Sequence, residues 1–399
     1  MKVLLVADVG GHPKGYPDLK FRRDYYHVGD EAMLEITKEW YQNDPANKVT
    51  ILSWKRKYKH VKTQTHFVWP TKRLISRLYF PWYLSKVLLW RVFKVNFLTP
   101  TELKFINLID AQDRVHFAGG GNITSLFPAW LSYCMFIVIT SRILGKKIIL
   151  TSQTVGPFKL VDKIIVGLVL NLADFIGLRQ DIRLHNPLKE LFIFLPKSVS
   201  MLDTAYQIGA KAKKPNQVKR IGLSIHEWAN FGEEERAGLI LKIKKTLRIN
   251  NRVIFVEIPH IISSRGETWK NIRTKTGKVD LLITSRYHGA VFALSQNVPC
   301  IALIPDEYYQ IKIMGLLHAV YKDTDLSNYY IDLRNGLTFN MSAGKFLNLL
   351  RNLKYERRLL RSLNGRLANT SELYSFEKTM AGIERLLDQP VRKFVWNTI

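Results

Sequence analysis

Short apolar runs of strand length alternate with longer stretches of helical period along most of the chain, and this alternation constrains the fold more than any other feature. In the first half the strand-like runs are Val3–Ala7, Val49–Leu52, Val115–Ala118, Ile148–Thr151, Phe175–Leu178 and Val199–Leu202. Helical patterns fall between them at Asp30–Tyr41, Pro128–Leu144 and Leu160–Leu172. Such alternation predicts a parallel sheet with crossover helices. Gly209–Arg220 breaks the pattern with Lys211, Lys213, Lys214, Pro215, Lys219 and Arg220, and reads as a linker. The alternation then restarts: strands Ile221–Ile225, Val253–Val256, Leu281–Thr284 and Cys300–Leu303, with helices Glu233–Leu247 and Tyr287–Ser295. The expected organisation is α/β, with two Rossmann-like domains facing a central cleft. The first spans 1–208, with a basic aromatic insertion at about 54–100; a linker follows at 209–220, the second domain at 221–340 and C-terminal helices at 341–399. Ligands in such sheets sit beyond the carboxyl ends of strands, where helix N-termini point their N–H groups.

The 399 residues carry 60 Lys and Arg against 33 Asp and Glu, a formal net charge of +27. A surface of that sign attracts nucleic acid, phosphorylated metabolites or acidic lipid headgroups. Two cysteines, Cys134 and Cys300, exclude a disulfide framework or a cysteine-rich zinc site. The opening run Met1–Asp8 is too short for a signal peptide. The long uncharged stretch Val115–Ser141 contains Gly119, Gly120, Gly121, Asn122 and Pro128, which argues against a spanning helix. A cytoplasmic protein, free or peripheral on the inner face of the plasma membrane, is expected.

Ile51–Pro100 holds eleven Lys or Arg, eleven aromatic residues and no acid. On a helical wheel Leu74, Ile75, Leu78, Trp82, Leu89, Val92 and Phe93 share a charge-free face, with Lys72, Arg73, Arg77, Lys86, Arg91 and Lys94 on the rest and Pro81 interrupting it. Residues 72–94 therefore read either as an element for an anionic membrane surface or as a solvated basic face over an ordinary core.

Ser285-Arg-Tyr-His-Gly289 is the sharpest local signal for chemistry. It follows the strand Leu281–Thr284 and opens a helix, so Arg286 and His288 flank a helix N-terminus. A cation there is unfavourable unless it meets an anion. Arg offers a fork for carboxylate or phosphate, and His carries protons near neutral pH. The competing account has Ser285 as an N-cap, with Arg286 exposed and His288 half-buried. Gly119-Gly-Gly-Asn122 sits between a strand and a helix, as an anion- or sugar-binding turn or a plain one. Gln153 and Thr154 stand at a strand end, Arg179 follows another strand, and Asp203 ends a third, where it caps or binds the linker. Asp30 and Glu31 open the first helix as dipole partners, a base or hydroxyl ligands. Lys312 lies on the helix after the last strand, and His260 follows Val253–Val256 as a cleft candidate. No metal-ligand spacing, phosphate loop or dinucleotide fingerprint occurs, so no metal and no resident cofactor are expected.

Taken together, the motifs Gly29-Asp-Glu-Ala-Met-Leu34, Gly119–Asn122, Ser152-Gln-Thr-Val-Gly-Pro157, Asp203-Thr-Ala205, Ser285–Leu294, Val298-Pro299 and Tyr309-x-x-Lys312-x-x-Gly315 resemble the polysaccharide pyruvyl transferase family. They span residues 29 to 315 in that family's order. His27-Val28 departs from the family's common Asn before Gly-Asp, and Arg179-Gln-Asp181 lacks a later Ser. The resemblance implies a GT-B-like fold, phosphoenolpyruvate as co-substrate and a sugar acceptor, in an exopolysaccharide, cell-wall or lipid-linked glycan. Two sugar hydroxyls would become a cyclic pyruvate ketal as phosphate leaves. On that reading Arg286, Arg179, Lys312 and Ser285 bind phosphoenolpyruvate, and His288 is the general acid, with Asp30 or Glu31 as base. Gly119, Gly120, Gly121, Asn122, Gln153, Thr154, Asp203 and His260 line the cleft. Two rivals remain: a GT-B glycosyltransferase using a nucleotide sugar, and a non-enzymatic basic polyanion-binding protein. No nucleic-acid motif is visible, so no nucleic-acid partner is expected.

Overall fold

The structure is a computed structural model and describes residues 1–7, 25–53, 64–66, 79–95, 97–179, 187–191, 198–208, 219–226, 232–248, 253–259, 261–263, 268–322, 324–334, 339–369 and 376–387. In chain order the strands are β1 (Lys2–Val6), β2 (Tyr25–His27), β3 (Lys48–Ser53), β4 (Gln64–His66), β5 (Arg114–Ile123), β6 (Lys147–Val155), β7 (Phe175–Leu178), β8 (Ser198–Ser200), β9 (Lys219–Ser224), β10 (Val253–Glu257), β11 (Ile261–Ser263), β12 (Leu281–Thr284), β13 (Cys300–Ile304) and β14 (Tyr330–Asp332). They form a parallel seven-stranded sheet in the order β4-β3-β1-β5-β6-β7-β8 and a parallel five-stranded sheet in the order β10-β9-β12-β13-β14. Two parallel sheets in sequence, each joined by crossover helices, are the doubly wound arrangement that the alternation predicted.

Burial explains why the pattern was readable. In β1, Val3 and Leu5 pack into one core while Leu4 and Val6 pack into another, because successive side chains alternate across a sheet. Both faces are covered, so the strand reads as one apolar run. Helix 28–42 covers one face, and helices 79–93, 100–110, 128–143 and 160–170 supply the core on the other. Local signals set the helix starts. Thr99 and Glu102 form a reciprocal capping box with Pro100 at the first helical position. Asp306 accepts the Tyr309 N–H at the start of helix 307–321.

Several expectations are revised. The glycine triplet is part of β5 rather than a turn after it. Gly120 pairs with Gln153 and Ile123 with Val155, with a register shift between them. Gly119 and Gly120 take φ of 87° and 149°, which lets an irregular strand continue where a side chain would be strained. Gln153 and Thr154 likewise lie inside β6, which runs to Val155. β9 starts at Lys219, two residues inside the expected linker. Part of the basic insertion joins the fold: β4 forms the sheet edge, and helix 79–93 carries Pro81 in its first turn, where proline is tolerated. Lys86, placed by the wheel among the solvated cations, is buried and pairs with Glu102 at 3.3 Å. Residues 67–78 lie outside the described residues.

The two sheets are joined in three ways. β2 and β11, one from each half, pair antiparallel, with His27 opposite Ile261. The Trp269 indole N–H donates to Glu35 at 2.6 Å. The C-terminal helices 353–369 and 376–387 return to the first half: Asn364 accepts from the Tyr206 hydroxyl at 2.7 Å, and Glu384 pairs bidentately with Arg114 at 2.5 and 2.8 Å.

Candidate active site

The carboxyl ends of β5, β6, β7 and β12 and the first turns of helices 28–42, 287–295 and 307–321 bring most of the singled-out residues together. Arg179 leaves β7 into the interior. Its Nε donates to Thr154 Oγ1 and its Nη1 to Asp203 Oδ2, both at 2.7 Å. Asp203 thus does more than cap the turn that follows it. Its Oδ1 accepts the Ala205 N–H, and its Oδ2 also faces His288 Nε2 at 3.6 Å. Burial alone would raise the Asp203 pKa. His288, Arg179 and the Ala205 N–H outweigh it and hold the carboxyl well below the usual carboxylate range.

Arg286 occupies the N-cap position of helix 287–295, and no side chain caps that helix. Ser285 is one residue too early; it is buried, and its Oγ accepts the His226 N–H at 2.8 Å. Arg286 Nη1 reaches the Tyr309 hydroxyl at 3.5 Å, while Nη2 is buried without a hydrogen-bond partner. Burial lowers the Arg286 pKa, and Tyr309 and Asp30 oppose that. A buried guanidinium nitrogen without a partner is costly unless a ligand supplies one.

Lys312 is buried one turn further along helix 307–321. Its Nζ donates to the Tyr308 hydroxyl at 2.9 Å and lies 4.2 Å from that ring's centre. Tyr308 in turn donates to the Gly121 carbonyl at 2.5 Å. Burial, then Arg179, push the Lys312 pKa well below the ordinary lysine range, against Asp30 and Asp203. Among the described residues, neither Lys312 nor Arg286 makes an ion pair with a carboxylate.

The glycines divide by role. A Cβ on Gly121 would strike the Tyr308 hydroxyl and come within 2.7 Å of Lys312 Nζ and 3.1 Å of Arg179 Nη2. Gly121 is therefore the point at which the two halves close on the cations. Gly119 packs on Met33 of helix 28–42, and Gly120 faces Gln153 and the half-buried Asn122. The Gln153 amide is committed to the Thr151 carbonyl at 2.9 Å. Gly29 is the floor under His288, since a Cβ there would overlap the imidazole. Asp30, half-buried, bears electrostatically on Arg286, Tyr308 and Lys312; Glu31 is buried on the same turn. His260 lies outside the described residues.

Tyr308 and Tyr287 were missed by the sequence reading. Tyr287 stacks under Arg179, whose guanidinium carbon is 4.5 Å from the ring centre. Tyr287 lies within the Ser285–Leu294 motif and Tyr308 directly precedes Tyr309, but an aromatic at helical spacing reads as core. Among the described residues no cluster of three metal-ligating side chains occurs. The site thus gathers the cations Arg286 and Lys312, the Arg179–Asp203 pair and the His288 imidazole.

Solved structures share the fold. A putative UDP-N-acetylglucosamine 2-epimerase from Listeria monocytogenes aligns with TM-score 0.56 and 10% identity over 98% of each chain. The UDP-GlcNAc 2-epimerase of Neisseria meningitidis, bound to UDP-GlcNAc, gives 0.54 and 10% over 97% of this chain and 99% of that one. A glycosyltransferase from Rickettsia africae gives 0.53 and 12% over 98% and 99%. These likenesses establish the GT-B-like fold and no more. No curated protein matches the chain. The family model described as polysaccharide pyruvyl transferase matches residues 27–307, which contain the whole cation cluster except Lys312. The chain therefore belongs to the polysaccharide pyruvyl transferase family.

Proposed function

We propose that this transferase moves the enolpyruvyl group of phosphoenolpyruvate onto two hydroxyls of a sugar in a polysaccharide or its precursor, forming a cyclic pyruvate ketal. The observation that carries this reading is the unpartnered, buried Nη2 of Arg286, with Lys312 near it making no ion pair among the described residues. Phosphoenolpyruvate brings a carboxylate and a phosphate a few atoms apart, and two cations that make no ion pair among the described residues match such a ligand.

His288 is the general acid. Asp203 Oδ2 faces the Nε2 edge of the ring at 3.6 Å, and its carboxylate serves to orient the proton donor. The first sugar hydroxyl adds to C2 of the enol while His288 delivers a proton to the methylene carbon, so CH2 becomes CH3. The C2–O bond to phosphate then breaks with its electron pair leaving on phosphate. The second hydroxyl closes the ring on C2, and its proton leaves with phosphate. Asp30, whose charge bears on both cations from helix 28–42, is the candidate to accept the first hydroxyl's proton or to orient the sugar. Arg179 is engaged by Asp203 and Thr154, so its part is to hold the floor and add to the field rather than to grip substrate.

Calorimetric titration of phosphoenolpyruvate into the wild type and Arg286→Ala tests the reading. Truncating one partner of a buried charge pair costs roughly 2–5 kcal/mol, so affinity should fall about 30-fold or more. Absence of phosphoenolpyruvate binding to folded wild type overturns it. The fold shared with an epimerase bound to UDP-GlcNAc favours one alternative, a nucleotide-sugar donor. Saturable UDP-sugar binding that phosphoenolpyruvate does not displace would support that alternative.

A further inference from the structure

We infer that the outer helical layer of the seven-stranded sheet is a docking surface for an anionic lipid membrane. Helices 79–93 and 160–170 both pack against the largely buried helix 128–143 on the same face of the sheet. Helix 160–170 turns Val166, Val169 and Leu170 into the core. Its opposite side carries Leu160, Val161, Ile164 and Leu168, with Leu160 75% and Leu168 68% exposed. Residues 160, 164 and 168 are spaced by four, so they form one stripe along the helix.

Helix 79–93 repeats the arrangement. Tyr83 and Val87 are buried, while Trp82, Leu88, Val92 and Phe93 face outward, Phe93 67% exposed. The apolar surface continues onto Val95 and Phe97. Single exposed apolar residues are ordinary, but two such stripes on one face mark an interaction surface.

Charge selects the partner. Arg91, Lys94 and Lys159 are exposed around these stripes. The one acid in helix 160–170, Asp162, is buried and accepts from Ser125 at 2.6 Å, and helix 79–93 contains no acid. Both helices therefore present apolar side chains with cations and no exposed carboxylate. A second copy docking through this face would set cation against cation. An anionic bilayer surface satisfies both features, taking the apolar stripes into the headgroup boundary and the cations at the phosphates. Trp82 at the rim suits that boundary. No helix among the described residues is long and apolar enough to span, so the element lies in the surface plane.

This inference is independent of the proposed chemistry, and its test reads membrane binding alone. The full chain is floated with vesicles of phosphatidylglycerol and phosphatidylcholine, and with phosphatidylcholine alone. Variants are Ile164→Glu with Leu168→Glu, and Val92→Glu with Phe93→Glu; all four positions are exposed, and circular dichroism melts check the fold. Wild type should bind the anionic vesicles, less so at high salt and little to phosphatidylcholine. Each charge near such a surface is worth about fivefold, so each pair of glutamates should weaken binding at least about tenfold. A blue shift of tryptophan emission on vesicle addition, reduced in Trp82→Phe, gives a second readout in a variant that keeps the fold. Failure of wild type to bind anionic vesicles at low salt overturns the inference. So do glutamate pairs that bind like wild type, or a dimer that they dissociate without vesicle binding.

Discussion

Gly29→Ala separates the role of His288 from that of the cations. Gly29 lies in the first turn of helix 28–42, with no positive φ to make alanine strained. Alanine in a helix is normally favoured over glycine by up to about 1 kcal/mol. Here its Cβ would overlap Cγ, Nδ1 and Cδ2 of His288. The ring would have to retreat by about 1.5 Å to restore a carbon contact of roughly 3.5 Å. His288 Nε2 stands 3.6 Å from Asp203 Oδ2, so a displacement of that size ends the alignment of the pair.

A misplacement of about 1 Å costs on the order of 100-fold in rate, so kcat should fall about 100-fold. Overpacking costs about 1–3 kcal/mol, and the helix gain offsets part of it, so the melting temperature should drop only modestly. Arg286 and Lys312 are untouched, so phosphoenolpyruvate affinity should stay within about threefold. Phosphate release at saturating donor, calorimetry and a thermal melt read the three quantities. A kcat within about threefold of wild type, in a protein that melts normally, would refute both the geometry and the proton-donor role.

Two further outcomes follow from the titrating groups. Lys312 has its pKa depressed by burial and by Arg179, and a bound anion would raise it; donor binding should therefore take up protons in the pH range where Lys312 titrates, and affinity should fall as pH rises through it. The measured heat should then change with the ionisation enthalpy of the buffer, and Lys312→Met should abolish the difference; equal heats in all buffers would contradict it. His116, fully buried between Tyr41 and Thr151, is pushed down to about 3 by burial and then by Arg114. The unfolded chain binds that proton near pH 6.5, so stability is lost as pH falls below it, by about 1.4 kcal/mol between pH 7.5 and 5.5. Urea midpoints should decline over that range and decline less in His116→Gln; parallel declines would count against it.

Much of this was legible because parallel strands are buried on both faces. Leu281–Thr284 and Phe175–Leu178 occur with the bounds that their apolar runs imply. Where reading failed, tertiary pairing outweighed local composition. Three glycines argue for a turn, yet Gly119–Asn122 continues β5 because β6 stands ready to pair with it. The β2–β11 ladder joins three-residue segments from opposite halves, and nothing in Tyr25–His27 signals its partner. The ordered motifs marked Arg286, His288 and Lys312, but the Arg179–Asp203 pair needs β7 and β8 side by side before residues 24 apart can meet.

The cleft is built from both halves of the chain, and that division bears on what it holds. The first half contributes an internally neutral pair, Arg179 with Asp203, and the carboxylate of Asp30. Arg286 and Lys312 come from the second half without carboxylate partners, and Tyr308 ties Lys312 to Gly121 across the divide. A scaffold selected for stability alone would pair a buried guanidinium, since removing one partner of a buried pair typically costs about 3–5 kcal/mol. Leaving Arg286 Nη2 open while Asp203 faces Arg179 and His288 puts unpaired positive charge two residues from the imidazole that the proposed transfer uses as its acid. A site for binding polyanions in general would need the cations but not a histidine facing Asp203, and the presence of Arg286 and His288 on one helix turn is what favours transfer over capture.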